Sequence, residues 1–328
     1  MIPSSLLVRS PNWLGDAVLS LPAVASLKAW LGSRPLGVAA PQKLSALWRL
    51  CPFVDRVIEI DRPKSLLRTV QHLRRSGFAA ALLLPNSLRS ALEARLAGIP
   101  AVWGKAGRPR AALLSRPLRG EPGDRFPRQA AAYLALAEEL GASGSLTLPE
   151  LRIPSARRPP PEPFLAFCPG AEFGPAKRWP EEFYIELARR LIAATGFPVR
   201  LYGAAGDREV CGRIASAVPG AESLAGQTSL EEFIASLACA RLVVCNDSGA
   251  MHLAALLRVP GVALFGSTDP LRTGPLGSSI RVLSRPVACG PCFRRRCPLD
   301  LACLRRIEPE EVFGACWEQL RLSTALSS

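Results

Sequence analysis

Two stretches bring together residue types that can do chemistry at short spacing. Cys168 to Pro180 reads C-P-G-A-E-F-G-P-A-K-R-W-P, and Cys245 to His252 reads C-N-D-S-G-A-M-H. Each follows an apolar, strand-like run and leads into a helical pattern. In such a unit the first amide N–H groups of the helix lack intrahelical partners and carry the positive end of the helix dipole, so they favour an anion. Two such entries in one half of the chain, one with a lone lysine at Lys177, point to a bound diphosphate. The first loop offers the backbone of Gly170 and Ala171, with Glu172 read equally as a sugar contact or a helix-entry residue. In the second, capping alone could explain Asp247 and Ser248. A carboxylate beside a diphosphate is unfavourable unless backbone N–H groups bond it, so Asp247 is expected to organise the loop while Ser248 and the Gly249 amide touch ligand. His252, on the first helical turn after Gly249, is favoured as a ligand contact. Arg178 and Trp179 read as structural, and His72, in a basic helix, as a surface residue.

These residues must be positioned by alternating strands and helices. Leu6–Val8, Leu36–Ala40, Arg56–Ile60 and Ala79–Leu84 read as strands, with helices at Ala17–Leu31, Lys64–Arg75, Leu88–Leu96 and Gln129–Leu140. Pro22 either kinks the first helix or marks its first turn. From Leu148 to Pro163 six prolines in sixteen residues exclude a helix or a central strand and read as a linker. The alternation then restarts with strands Phe164–Cys168, Val199–Tyr202, Leu242–Cys245 and Gly261–Phe265, and helices Glu181–Thr195, Arg208–Val218, Leu230–Cys239 and Met251–Leu257. The pattern predicts an α/β chain of two domains, 1–155 and 156–328, each with a mostly parallel sheet. Both phosphate loops then fall beyond the C-terminal ends of strands, where open α/β sheets bind ligands.

The common nucleotide fingerprints are absent: there is no G-x-G, no G-x-x-x-x-G-K-[ST] loop and no Asp-x-Asp. Lys177 and the helix N-terminus at Gly249 could supply countercharge without a coordinated metal. The net charge of +14 is uneven: residues 1–155 hold 21 basic and 10 acidic residues, the remainder 20 and 17. The first half therefore wants an anionic partner, such as nucleic acid, an anionic membrane surface or an acidic substrate. Aromatic content of 6%, with no aromatic-interleaved basic run, argues against base stacking. The N-terminus lacks a signal-peptide apolar core and no run approaches a membrane span, which predicts a soluble cytoplasmic protein. Ten cysteines are then expected to be reduced. Six of them, including Cys168 and Cys245, read as small core residues. Cys289, Cys292, Cys297 and Cys303 form a compact cluster with one C-x-x-C, favoured as a reduced or occasionally disulfide-linked loop over a structural metal site.

The runs S-P-N-W-L-G-D-A-V-L-S-L-P-A-V, P-G-A-E-F-G-P-A-K-R-W-P, N-D-S-G-A-M-H-L-A-A and F-G-S-T-D-P resemble the lipopolysaccharide heptosyltransferases, glycosyltransferase family 9, and the second run resembles the branch that adds the second inner-core heptose. The resemblance spans about residues 5–315. It implies a GT-B fold, two Rossmann-like domains with parallel sheets facing across an interdomain cleft, the first binding acceptor and the second the nucleotide sugar. It further implies inverting transfer of heptose from ADP-heptose to the lipid A-linked inner core, at the inner face of the inner membrane, with no required cofactor. Carried over by motif, Asp16 is the candidate base, Lys177 faces the donor diphosphate, and Asp247, Ser248, Gly249 and His252 form the phosphate loop. The ribose-binding acid falls on Asp207 in one register, where the other offers Ala205. By position alone a helix cap is the better explanation of Asp16, and the motif resemblance reverses that preference. Two alternatives remain: a transferase of the same fold with another nucleotide-sugar donor, and a non-catalytic basic protein that binds nucleic acid or anionic lipid.

Overall fold

The computed structural model describes residues 2–60, 65–120, 128–153 and 162–325. The chain divides into two compact units, Met1–Arg152 and Ile153–Ser328. Half of the expected proline linker, residues 154–161, lies outside the described residues.

The first unit is built on β1 (Leu6–Arg9), β2 (Leu36–Pro41), β3 (Arg56–Ile60), β4 (Ala80–Leu83), β5 (Ala101–Lys105) and β6 (Arg116–Leu118). They form one parallel sheet in the order β3-β2-β1-β4-β5-β6. The second unit holds β7 (Leu165–Cys168), β8 (Val199–Leu201), β9 (Ala221–Ser223), β10 (Leu242–Asn246), β11 (Gly261–Phe265) and β12 (Ile280–Ser284). Their parallel sheet runs β12-β11-β10-β7-β8-β9. Counted within its own unit, each sheet has the doubly wound order 3-2-1-4-5-6, which reverses direction between the first and fourth strands. Those strands, β1 and β4 in one unit and β7 and β10 in the other, are buried along their whole length. Helices on both faces leave no polar side, so the sequence reads as short unbroken apolar runs rather than as alternation.

The helix Leu14–Leu31 follows β1 directly and packs against the helix Gln129–Glu139. It starts three residues earlier than its apolar run predicts, and Pro22 lies well inside it, past its first turn. By length and composition it is apolar enough to cross a membrane, which the sequence reading did not anticipate. Its Leu21, Val24 and Leu27 are fully buried, so within this unit it is a core helix. In the second unit the core gathers Phe167, Trp179, Tyr184 and Leu187 around β7 and β10, backed by Leu304, Ile307, Val312 and Cys316 from the C-terminal helices. Trp179 meets Tyr184 edge-on at 5.0 Å, and Tyr184 lies 5.8 Å from Phe167. This aromatic cluster fixes the far end of the loop that leaves β7.

Candidate active site

In the second unit the strands on either side of the sheet's reversal, β7 and β10, each release one of the two loops. β7 ends at Cys168 and β10 at Asn246, and the carboxamide of Asn246 ties the two loops together. Its Nδ2 donates to the Pro169 carbonyl at 2.7 Å, and its Oδ1 accepts from the Trp179 amide at 3.0 Å and the Tyr184 hydroxyl at 3.1 Å. Fully buried, Asn246 satisfies its own polar atoms by holding both ends of the β7 loop. The sequence reading quoted it within the N-D-S-G run but gave it no role. Its signal was a polar residue closing an otherwise apolar strand.

Within that frame Lys177 lies in a 3-10 turn, Pro175–Lys177, and donates from Nζ to Asp247 Oδ2 at 2.5 Å. The pair is almost wholly buried. Thr268, in the loop that leaves β11, donates its hydroxyl to the same oxygen. Asp247 therefore organises its loop through side-chain donors, where backbone N–H groups were expected. The helix Gly249–Leu256 starts two residues later, with Ser248 at the cap position but making no side-chain cap bond. The hydroxyls of Ser248 and Ser267, flanking Asp247 and Thr268, are buried without a hydrogen-bond partner among the described residues. His252 is buried on the first part of that helix. Gly170 and Ala171 are buried at the start of the β7 loop, and Glu172 is exposed.

Asp207 sits beside these groups as a buried brace. Its Oδ1 accepts from Arg178 at 2.9 Å and its Oδ2 from the Ala204 amide at 3.1 Å. A Cβ on Gly170 would lie 2.3 Å from its carboxyl carbon, and one on Gly203 would lie 2.6 Å from its Cβ, so both glycines are required by the close approach. Ala205, the alternative register, is exposed. Arg178 and Trp179 pair and pack structurally, as their types implied.

In the first unit the corresponding reversal lies between β1 and β4. Arg9 ends β1 and is almost fully buried. Its guanidinium donates to the Ser10 carbonyl at 2.6 Å and the Asn12 carboxamide at 3.2 Å, while Trp48 Nε1 donates to the Ser10 hydroxyl at 3.0 Å. This polar seam fixes the turn that delivers Asp16. Asp16 is the third residue of its helix, half-buried, and Trp13 takes the cap position, so the simple capping explanation does not hold. Burial first, and then the Asp16 carboxylate, push the Tyr133 hydroxyl well above the usual phenol range, which places Tyr133 of the packed helix within electrostatic reach of Asp16. Trp13 is exposed beneath the Lys43 ammonium, 5.5 Å from the ring centroid. Arg110, buried at the start of the 3-10 turn Arg110–Leu113 that follows β5, donates to Asn86 and to the Leu83 carbonyl at the end of β4. Sequence reasoning did not find Arg110, because an arginine in a Pro- and Arg-rich turn has no periodic signature.

Of the ten cysteines, all free, Cys51, Cys168, Cys211, Cys245, Cys303 and Cys316 are buried. Desolvation raises the Cys168 thiol well above its ordinary value and pushes Cys211 up to about 12. Cys239, expected in the core, is half-buried. In the late cluster Cys289 is exposed and Cys292 and Cys297 are half-buried. Among the described residues no three His, Cys, Asp or Glu side chains gather as a metal site.

The family model of glycosyltransferase family 9 (heptosyltransferase) matches residues 66–302. Lipopolysaccharide heptosyltransferase 2 of Salmonella typhimurium is 35% identical over 305 residues, which cover 85% of this chain and 87% of that protein. The Escherichia coli protein of the same name is 34% identical over the same shares. The structure of the Escherichia coli ADP-heptose lipopolysaccharide heptosyltransferase II matches with a TM-score of 0.85 at 31% identity, over 98% of this chain and 99% of that one. Two doubly wound parallel sheets, loops built at the reversal of each, and similarity along nearly the whole length agree: the chain has the GT-B fold and belongs to glycosyltransferase family 9, the heptosyltransferases.

Proposed function

We propose that the protein is an inverting heptosyltransferase that moves a heptose from ADP-heptose onto the lipid A-linked inner core of lipopolysaccharide, as the second heptose. The observation that carries the donor half is the ring of polar groups around Asp247. Ser248 and Ser267 bury hydroxyls with no hydrogen-bond partner among the described residues, at a cost of about 1–3 kcal/mol each. They flank a buried lysine and the N-terminus of the helix Gly249–Leu256. Orphaned donors around such a helix entry fit an anionic leaving group, whose oxygens would satisfy them. Similarity to proteins named heptosyltransferase 2, and to a structure whose name specifies ADP-heptose, supports the choice of sugar, base and acceptor.

Inverting transfer is a single displacement in which one group removes the proton of the attacking hydroxyl while others stabilise the departing diphosphate. Asp16, a half-buried carboxylate in the turn after β1, takes that proton. Lys177, Ser248, the Gly249 amide and His252 receive the diphosphate. Asp207 serves the ribose only if its exchange with Arg178 and the Ala204 amide opens, since both its oxygens are already engaged. A lipid-linked acceptor makes the protein a cytoplasmic one, peripheral at the inner face of the inner membrane, and accounts for a basic first unit.

The test is calorimetric titration of the wild type and Lys177→Ala with ADP, GDP and UDP, followed by a transfer assay on Asp16→Asn. Selective ADP binding that weakens about tenfold in Lys177→Ala, and loss of turnover with donor binding retained in Asp16→Asn, are the expected results. Preference for GDP or UDP would replace the donor. Undiminished turnover in Asp16→Asn would remove the base.

A further inference from the structure

The charges of the donor loop do not balance a diphosphate. Lys177 is held by Asp247 and Arg178 by Asp207, so the two cations of the loop are each already matched by a carboxylate. The exposed Glu172 adds a further negative charge. As the sugar departs, the leaving diphosphate gains charge, and an additional positive group is needed near Lys177.

The late cysteine segment brings one. Its main chain is fastened to both sides of the site: the Phe293 amide donates to the Ser267 carbonyl at 2.7 Å, and the Ala176 amide donates to the Arg295 carbonyl at 3.1 Å. The contact at Gly174 is so close that a Cβ there would lie 2.5 Å from the Arg295 carbonyl oxygen. This docking places the Arg295 guanidinium 5.5 Å from the ring centroid of Phe173, and the Lys177 ammonium lies 4.9 Å from the same centroid. Among the described residues Arg295 has no carboxylate partner, and its side chain is exposed. The ring of Phe173 thus has two cations within 5.5 Å of its centroid, one buried and neutralised, the other exposed and unneutralised.

We propose that Arg295 is a direct contact of the donor diphosphate, delivered to the site by the cysteine-rich segment and aimed by Phe173. The proposal rests on the donor-site reading above. It assigns the segment a binding role that its cysteines do not carry, and it makes Arg295, among three consecutive arginines, the one that serves the reaction. Arg294 and Arg296 have no stacking contact among the described residues.

The test titrates wild type, Arg295→Ala, Arg295→Lys, Arg294→Ala and Phe173→Leu with ADP, AMP and adenosine. The tether to Ala176 is a main-chain bond, so Arg295→Ala leaves it in place, and an unchanged melting temperature checks this. Arg295→Ala is expected to weaken ADP about tenfold, AMP less and adenosine not at all, the size of one charge-assisted contact. Arg295→Lys should recover part of the loss, Arg294→Ala should match wild type, and Phe173→Leu should weaken ADP with the same ligand order. Wild-type ADP affinity in Arg295→Ala, or equal losses for ADP and adenosine, would overturn the assignment alone. Absence of ADP binding by the wild type would overturn the donor-site reading and this assignment with it.

Discussion

The Lys177–Asp247 pair is costly to halve. Removing one partner of a buried ion pair leaves an uncompensated charge, whereas removing both can be nearly neutral. Asp247→Ala is therefore expected to lose about 3–5 kcal/mol, read by urea denaturation. The double variant Lys177→Met/Asp247→Leu should regain most of that stability while still binding ADP more weakly than the wild type. Asn246→Ala should cost about 3 kcal/mol, since it breaks three well-formed buried hydrogen bonds and orphans the Trp179 amide. At this scale the sequence was legible where a residue type has few uses. Lys177 stood out as a lone lysine in a glycine loop, and Asp247 and His252 as polar residues at a helix entry. What could not be read was pairing. That Lys177 is held by Asp247, 70 positions away, depends on the reversal of strand order that sets β10 beside β7, and that Asp207 is held by Arg178 depends on the pairing of β8 with β7.

At the scale of elements, the two glycines that face Asp207 set the spacing between the β7 and β8 loops. Gly170→Ala cannot be absorbed by a side-chain swing, because Asp207 is pinned at both oxygens. A loss of about 1–3 kcal/mol is expected by urea denaturation. Gly212→Ala, inside the helix Arg208–Ala217 with open space around its Cα, should instead gain a few tenths up to about 1 kcal/mol. Central strands were legible because burial on both faces makes them uniformly apolar. β5, β6, β9 and β12 were not: β6 and β9 are three residues long, β5, β6 and β12 mix exposed or half-buried positions with buried ones, and β9 has no buried position at all. These strands, at or next to a sheet edge, carry too few buried apolar residues to stand out from loops. The first helix was placed late because Trp13, its cap residue, offers no capping side chain for a reader to recognise.

The whole molecule repeats one strand order in two units, and each repetition places its candidate chemistry at the same reversal. Symmetry of sheets does not extend to charge, since most of the excess of basic residues belongs to the first. Family membership gives that asymmetry an enzymatic setting in place of the non-catalytic basic protein that composition alone allowed. The cysteines offer a test of burial across the chain. Alkylation of the native protein at pH 8 should label Cys289, Cys292 and Cys297, partly label Cys239, and spare Cys51, Cys168, Cys211, Cys245 and Cys316, whose thiols are shielded and raised by burial. Peptide mass spectrometry reads the pattern, and rapid native labelling of Cys168 or Cys245 would contradict the burial of the strand ends.

The cysteine-rich segment is joined to the β7 loop through the Ala176 amide and to the β11 loop through the Phe293 amide, and neither can exchange with solvent unless the segment lifts away. The Ala176 and Phe293 amides are thus built-in deuterium clocks for the site, on opposite sides of one latch. They should slow together when a nucleoside diphosphate is added, while the Leu6 amide, which bonds the Pro35 carbonyl in the other unit, keeps its own time.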